Sequence, residues 1–183
     1  VVFPIIEPLS ACASTTDGYL TFSQLSRFTE GPIMTLNAIN GNGFERYKST
    51  QPDLVLSIRY GAILREAAIG VPRHGVLNLH SGRLPQYRGV MATFWAMLNG
   101  DSTIGTTLHT IDDRRIDSGR ILGLTSRSVR ADKSYLWHVL SLYDDGVRLM
   151  ERAVQRIDEG DPPPAEPQPA DSLSTPKQNY YTF

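Results

Sequence analysis

Three polar side chains in this sequence have the types and the spacing that proton transfer at a reacting centre requires. Asn78 and His80 stand two residues apart in the apolar run VLNLH of residues 76–80, and Asp117 follows in the segment LHTIDDRRIDSG of residues 108–119. Because side chains alternate across a strand, Asn78 and His80 would leave the same face. A hydrogen-bond donor beside an imidazole suits a reaction that builds charge on oxygen and moves a proton.

A structural interpretation of these residues stays open beside the chemical one. A single His at a strand end is commonly a hydrogen-bonded structural residue, and Asp112 and Asp113 fit the solvation of a turn. Asp117 favours the catalytic interpretation, since an acid there could reach the imidazole, fix its tautomer and accept a proton through it. The three residues together predict a base held by an orienting acid, next to a donor for a developing oxyanion.

The elements that must position these residues alternate between strands and helices. The apolar run of residues 53–58 predicts a strand buried on both faces of a parallel sheet, and residues 75–80 predict the next strand. Further strands are predicted over 103–110 and 119–126, with helices over 44–50, 63–69 and 90–98. This alternation indicates an α/β fold with a mostly parallel sheet and helices on both faces.

Breaker residues place a loop directly after the strand that carries His80. Gly82, Pro85 and Gly89 interrupt regular structure there. In open α/β sheets, ligands bind at the carboxyl ends of the strands. The sequence therefore predicts a ligand site beside Asn78 and His80.

The longest predicted helix covers residues 134–159 and is followed by a proline-rich segment. Apolar residues recur in the helix at spacings of three and four and are predicted to face the sheet: Leu136, Val139 or Leu140, Tyr143, Val147, Met150, Val154 and Ile157. Gly160 would end the helix, and residues 161–170 form either an ordered arm or a linker.

Composition narrows the class of protein. The 183 residues are 40% hydrophobic and 20% charged with a net charge of −1, which is ordinary for a globular domain. There is no run of 18 apolar residues to span a membrane and no basic stripe for a nucleic acid. Cys12 is the single cysteine, so neither an internal disulfide nor a metal site is expected, and the expected location is cytoplasmic.

Residues 53–123 resemble the folate-dependent formyltransferase family. The motifs that carry the resemblance are NLH at residues 78–80, LPQYRG at 84–89 and DRRIDSG at 113–119, with support from Trp95 and the strand that ends at His109. The resemblance implies a Rossmann-like sheet and 10-formyltetrahydrofolate as co-substrate, without a metal.

The same resemblance implies roles for individual residues. Asn78, His80 and Asp117 would be the catalytic three, and backbone groups of Ile63 and Leu64, with the loop before Asp117, would hold the pteridine ring. The full set of residues expected to bind the co-substrate is Ile63, Leu64, Leu84, Pro85, Asp113 and Arg115.

Two positions depart from the family pattern. Ser81 and Gly82 stand where the family usually has Pro-Ser, which would loosen that turn. Arg115 stands where the family usually has Gly, and an Arg adopts a positive φ only with strain. The co-substrate loop is therefore expected to differ in shape, or Arg115 to face the acceptor or the glutamate tail of the folate.

The family's fold also implies a strand–loop–helix unit at the N-terminus. Residues 1–52 do not clearly match it, so we expect a chain that lacks this unit and exposes a raw sheet edge. The expected organisation is an N-terminally incomplete catalytic domain over residues 1–160 and a proline-rich C-terminal arm over 161–183.

Features that the sequence lacks reduce the number of possible formyl acceptors. Formylation of initiator tRNA implies a further nucleic-acid-binding domain, and purine-pathway formylation implies a glycine-rich phosphate loop, neither of which is evident. A small-molecule amine remains, with no nucleic-acid or membrane partner. Residues 57–64 and 75–101 are most similar to N5-hydroxyornithine transformylases of pyoverdine-type siderophore biosynthesis.

Three alternatives to hydroxyornithine transfer stay open. The acceptor could be an amino sugar attached to a nucleotide. The protein could instead be a hydrolase that releases formate with water as acceptor. It could also be a non-catalytic folate-binding relative, which would have no need of Asn78, His80 and Asp117 together. Oligomeric state is not predicted.

Overall fold

The computed structural model describes residue 28 and residues 33–169. The chain divides into two compact units, residues 1–51 and 52–183. In the described part of the first unit, helix α1 (Phe44–Lys48) buries Tyr47. The division into a catalytic domain and a C-terminal arm at residue 160 stays a prediction.

The described part of the second unit contains a four-stranded sheet, a two-stranded sheet and three helices. The strands are β1 (Val55–Ile58), β2 (Val76–His80), β3 (Thr103–Ile104), β4 (Thr107–Thr110), β5 (Ile121–Leu124) and β6 (Arg127–Ser128), and the helices are α2 (Glu66–Ile69), α3 (Ala92–Leu98) and α4 (Tyr135–Asp158). The larger sheet has the order β1-β2-β4-β5, and β3 pairs with β6.

The α/β class is confirmed, but the described sheet is mixed rather than mostly parallel. β1 and β2 run parallel, whereas β4 is antiparallel to both β2 and β5. The loop of residues 111–120 between β4 and β5 contains no helix, and a parallel pair needs a longer crossover. Helix α3, which precedes β4, packs against β3 and α4.

The single strand predicted over residues 103–110 is two strands in different sheets. The chain turns between them at Gly105, where a Cβ atom would overlap the backbone carbonyl of Thr125. Since only a residue without Cβ can approach another backbone so closely, the glycine separates β3 from β4.

Strand β1 is not buried on both faces, so that prediction is wrong. Leu56 and Ile58 are each 43% exposed. They pair with Leu77 and Leu79 of β2 and so face the same side of the sheet as those residues. Helix α4 packs against β2, β4 and β5, which leaves the apolar side chains of β1 beyond its cover.

Helix α4 matches its predicted bounds within one residue at each end, and it packs on the core. Ser134 caps it by accepting a hydrogen bond from the backbone of Trp137 at 3.2 Å. Its side chains meet those of the sheet in one buried cluster: Leu77, Leu79, Leu108, Met150 and Ala153.

The predicted apolar stripe of α4 is partly wrong, because Leu136 and Val147 are 62% and 36% exposed, whereas of the alternatives Val139 and Leu140 it is Val139 that is buried. His138 is fully buried instead, with Nδ1 donating to the carbonyl of Ser134 and Nε2 accepting from the backbone of Arg130. A polar residue whose hydrogen bonds are all made can lie in a core. The buried face therefore runs through His138, Val139, Leu142, Gly146, Met150 and Ala153.

The proline-rich segment is an ordered arm as far as residue 169. The backbone of Glu166 pairs with that of Ile121 through two hydrogen bonds, of 2.7 and 2.8 Å. The arm thus extends along the start of β5.

Close contact between α4 and the sheet at Gly146 yields a stability prediction. A Cβ atom at Gly146 would lie 2.9 Å from Oγ1 of Thr106 and 3.2 Å from Leu79. Gly146→Val should lower the free energy of unfolding by about 1–3 kcal/mol, because overpacking outweighs the gain of about 0.5 kcal/mol in helix propensity. Urea denaturation measures this.

The control for Gly146 is Gly61→Val, where no heavy atom lies within 4 Å of the added Cβ. Equal losses in both variants would show that helix–sheet contact is not the cause.

Candidate active site

Strands β2 and β4 place three polar side chains on the face of the sheet opposite α4. Asn78 pairs directly with His109, and His80 pairs with Thr107, while Leu79 and Leu108 pair on the helix-covered side. Asn78, His80 and His109 line a cavity of about 500 Å³.

Asp117 reaches these side chains from the loop between β4 and β5. Its Oδ2 accepts a hydrogen bond of 2.7 Å from the backbone of Gly89 and lies 3.5 Å from Nδ1 of His80. Its Oδ1 lies 3.4 Å from both Nε2 of His109 and Nδ2 of Asn78. The structure therefore brings together the three residues that the sequence singled out.

His80 is held in one orientation by the loop that follows it. Its Nε2 lies 2.7 Å from the backbone carbonyl of Tyr87 and must carry a hydrogen, since a carbonyl only accepts. The hydroxyl of Tyr87 donates to Asp101 at 2.7 Å and anchors that loop. In the neutral ring, the unprotonated Nδ1 consequently faces Asp117.

Burial lowers the pKa of His80 below its ordinary value of 6.5, and the negative charge of Asp117 opposes this only in part. Burial also acts to raise the pKa of Asp117. The adjacent imidazoles of His109 and His80 and the N–H of Gly89 outweigh burial and lower that pKa below its ordinary value of 3.8. Near neutral pH the site thus holds the ionised carboxylate of Asp117 beside the neutral imidazole of His80. The imidazole can then act as a general base.

His109 belongs to the site, although the sequence did not single it out as a functional residue. Its Nδ1 donates to the carbonyl of Thr110 at 2.8 Å, so in the neutral ring Nε2 accepts from the Asn78 amide at 3.0 Å. This contact fixes the orientation of the amide. The signal available in the sequence was a polar residue at the end of an otherwise apolar strand.

The turn after His80 is tightly packed, so the expectation that Ser81 and Gly82 loosen it is wrong. A Cβ atom at Gly82 would lie 2.5 Å from that of Ala92 and 2.6 Å from Nε2 of His80. Only glycine lets α3 and the imidazole approach this closely.

Four of the six residues predicted to bind the co-substrate line the cavity, namely Ile63, Leu64, Asp113 and Arg115. Leu84 and Pro85 are buried and are not among the lining residues. The backbone of Leu84 instead donates to Oγ1 of Thr107 at 3.1 Å. These two residues therefore belong to the buried side of the loop and do not form part of the cavity wall.

Arg115 does not adopt the positive φ that a glycine at this position would permit. The left-handed residue of the loop is Asp117, with φ of 48°. Arg115 folds onto Asp113, with an ion pair of 2.7 Å and a backbone hydrogen bond of 2.8 Å to the same carboxylate. The Asp113 carboxylate thus binds the backbone of the loop at Arg115, two residues before Asp117.

The cavity lining fits a largely apolar small molecule that also carries polar groups. Its apolar walls include Ile63, Leu64, Val90, Met91 and Ile116, and its polar side chains include Arg59 and Arg114 besides those around Asp117. Among the described residues, no group of three or more His, Cys, Asp or Glu is placed to hold a metal ion. No helix in the same part of the chain is long and apolar enough to cross a membrane.

The chain is similar in sequence to known proteins. The formyl transferase family profile matches residues 35–138. A methionyl-tRNA formyltransferase of Salinispora tropica is 33% identical over 130 residues, covering 71% of this chain and 42% of that protein. One from Mycobacterium sp. (strain KMS) is 34% identical over 123 residues, covering 67% of this chain and 39% of that protein. The chain thus spans about two fifths of the length of these relatives.

Solved structures share the fold. Glycinamide ribonucleotide transformylase 1 of Symbiobacterium toebii superposes with a TM-score of 0.66 at 20% identity, over 74% of this chain and 67% of that one. The formyltransferase PseJ of Anoxybacillus kamchatkensis gives 0.60 at 23% identity, over 80% and 74%. With a family profile that covers more than half of its residues, this chain belongs to the formyl transferase family.

Proposed function

We propose that this protein transfers a formyl group from 10-formyltetrahydrofolate to the nitrogen of a small-molecule amine. The observation that carries the proposal is the convergence at one cavity of Asn78 and His80, from strand β2, and Asp117, from the loop between β4 and β5. A donor, a neutral base and an orienting acid are the parts that acyl transfer to nitrogen requires.

Asn78 would stabilise the oxyanion that forms when the amine attacks the formyl carbon. One N–H of its amide is bound to His109 at 3.0 Å, whereas the other makes only the contact of 3.4 Å to Asp117. The second hydrogen is the one that a developing oxyanion could take. Loss of one such donor typically lowers the rate about a hundred- to a thousandfold.

His80 would take the proton that the amine loses as its nitrogen–carbon bond forms. The proton would reside on Nδ1, where Asp117 stabilises it from 3.5 Å. Returned to the departing folate nitrogen, it would make that nitrogen a neutral leaving group as the old carbon–nitrogen bond breaks. Asp117 is then an orienting and charge-balancing group for His80.

The cavity wall would hold the co-substrate. Backbone groups near Ile63 and Leu64 would bind the pteridine ring against the loop of residues 113–117. Arg115 is 73% exposed and could meet the anionic glutamate tail without being buried.

N5-hydroxyornithine is the acceptor that we favour, on the similarity of residues 57–64 and 75–101 to hydroxyornithine transformylases. A hydroxylamine nitrogen is neutral near pH 7, so a base of lowered pKa such as His80 suffices. Of the two arginines that could bind the acceptor's carboxylate, Arg88 is engaged by Gln168 and Arg83 is exposed. A small acceptor and a cytoplasmic location follow as part of this proposal.

Two other acceptors have specific support from the comparisons. PseJ was crystallised with a UDP-linked formamido sugar and tetrahydrofolate, which favours an amino-sugar acceptor. The relatives that are 33–34% identical are methionyl-tRNA formyltransferases, which favours an aminoacyl-tRNA. The net charge of −1 argues against a large anionic partner.

The first test is a formyl-transfer assay on the full-length gene product. Release of tetrahydrofolate from 10-formyltetrahydrofolate is followed with N5-hydroxyornithine, ornithine, a nucleotide-linked amino sugar, methionyl-tRNA or no acceptor. We expect turnover with hydroxyornithine and a loss of about 10²–10⁴-fold in His80→Ala, because the base is removed.

His74→Ala is the matched control, since the His74 side chain is exposed and contacts Arg73, while its backbone N–H, which the substitution keeps, donates to Asp53. Turnover with another acceptor alone would reassign the substrate. Release without any acceptor would indicate a hydrolase, and binding without turnover a non-catalytic relative.

The pH dependence of kcat/KM should show an acid limb below pH 6.5. His80 has a lowered pKa, so its neutral, active form persists below the ordinary value and is lost only as pH falls through the lowered pKa. Asp117→Asn removes the charge that opposes this lowering, and the His80 pKa measured by NMR should fall further. A limb above pH 6.5, or a higher pKa in the variant, would contradict this assignment.

Gly82→Ala should lower kcat because the added methyl group displaces the His80 ring from the carbonyl of Tyr87. A misplacement of 1 Å can reduce rate about a hundredfold. Gly41→Ala, whose Cβ would meet ordinary contacts of 3.6 Å, is the control. Unchanged kcat in Gly82→Ala would show that the His80–Tyr87 contact is dispensable.

A further inference from the structure

Gln168, in the C-terminal arm, lies against both loops that form the site. Its Nε2 donates to the backbone carbonyls of Asp117 and Gly119, each at 2.8 Å. Its Oε1 accepts from Arg88, at 2.6 Å from Nη2 and 3.3 Å from Nε. Arg88 directly precedes Gly89, whose N–H binds the Asp117 carboxylate.

The orientation of this amide is unambiguous. Carbonyl oxygens only accept and a guanidinium only donates, so the amide nitrogen must face the two carbonyls and the oxygen must face Arg88. Both hydrogens and both lone pairs of the side chain are therefore used.

The contact falls on the residue of the loop whose backbone needs support. Asp117 has a φ of 48°, in the left-handed region that residues with a Cβ adopt uncommonly, although Asp does so more readily than most. Such conformations persist where surrounding contacts determine them. Gln168 holds the backbone carbonyl of Asp117 itself. Through Arg88 it also holds the loop segment whose backbone N–H donates to the Asp117 carboxylate.

The arm is secured independently of the glutamine side chain. Two backbone hydrogen bonds join Glu166 to Ile121, two residues before Gln168. The side chain of Gln168 can therefore be changed without releasing the segment that carries it.

We propose that Gln168 is a positioning residue for the reaction, which ties the Asp117 loop to the segment of Arg88 and Gly89 and so holds the Asp117 carboxylate beside His80. Gln168 touches neither reacting group. It acts through the backbone of Asp117, and this inference rests on the proposed function.

The test replaces Gln168 with Met, which keeps the length of the side chain and removes all four hydrogen bonds, in the full-length protein. kcat for tetrahydrofolate release should fall about ten- to a hundredfold, in keeping with the effect of a misplaced catalytic group. Gln168→Glu keeps an acceptor for Arg88 but sets a carboxylate against two carbonyls, so kcat should fall at least as far. Gln155→Met, on the exposed face of α4, is the matched control.

A second measurement does not depend on turnover. The groups that face His80 are Asp117, His109 and the carbonyl of Tyr87. If Gln168→Met lets the Asp117 carboxylate move away, the His80 pKa measured by histidine NMR should fall, by less than the about 1–3 pH units that a nearby opposite charge contributes. Gln155→Met should leave that pKa unchanged.

The outcomes separate this proposal from the proposed function. If Gln168→Met lowers the melting temperature but leaves kcat within about twofold and the His80 pKa unchanged, Gln168 only anchors the arm and the proposal fails. If the wild-type protein turns over with no acceptor, the proposed function fails, and the His80 pKa in the variant still decides the role of Gln168.

Discussion

The antiparallel register between β2 and β4 is the constraint on which the site depends. It sets Asn78 opposite His109 on one face while Leu79 pairs with Leu108 on the other. Because side chains alternate, a slip of β4 by one residue would turn His109 towards α4 and expose Leu108 to the cavity. The buried leucines beneath Met150 oppose such a slip, so the packing of the core also determines the polar face.

The sequence predicted the local parts of this arrangement well. Asn78 and His80 were placed on one face from strand periodicity alone, and α4 was predicted within a residue of its ends. What it could not predict is pairing between distant segments. The direction of β4, the exposure of Leu56 at the end of the described sheet and the rotation of α4 about its axis all follow from tertiary contacts.

Residues outside the motifs show even more clearly that contacts between distant segments could not be predicted from the sequence. His109 was visible as a polar residue on an apolar strand, yet its role depends on lying opposite Asn78. Gln168 had no signal in its own neighbourhood, since it stands in a proline-rich segment and reaches the site through the pairing of Glu166 with Ile121. A contact across about 50 positions of sequence is set by the fold and not by local pattern.

The burial and charge of the Asp117 carboxylate show how these distant contacts serve the site. A carboxylate that is nine-tenths buried stays charged only where its neighbours compensate for lost hydration. Here the N–H of Gly89 donates to Oδ2 at 2.7 Å, the Asn78 amide approaches Oδ1 at 3.4 Å, and Nδ1 of His80 lies 3.5 Å from Oδ2. The same residue has a left-handed backbone, with φ of 48°. An acid held in this way can stabilise a proton on His80 without taking it, which is what an orienting group must do.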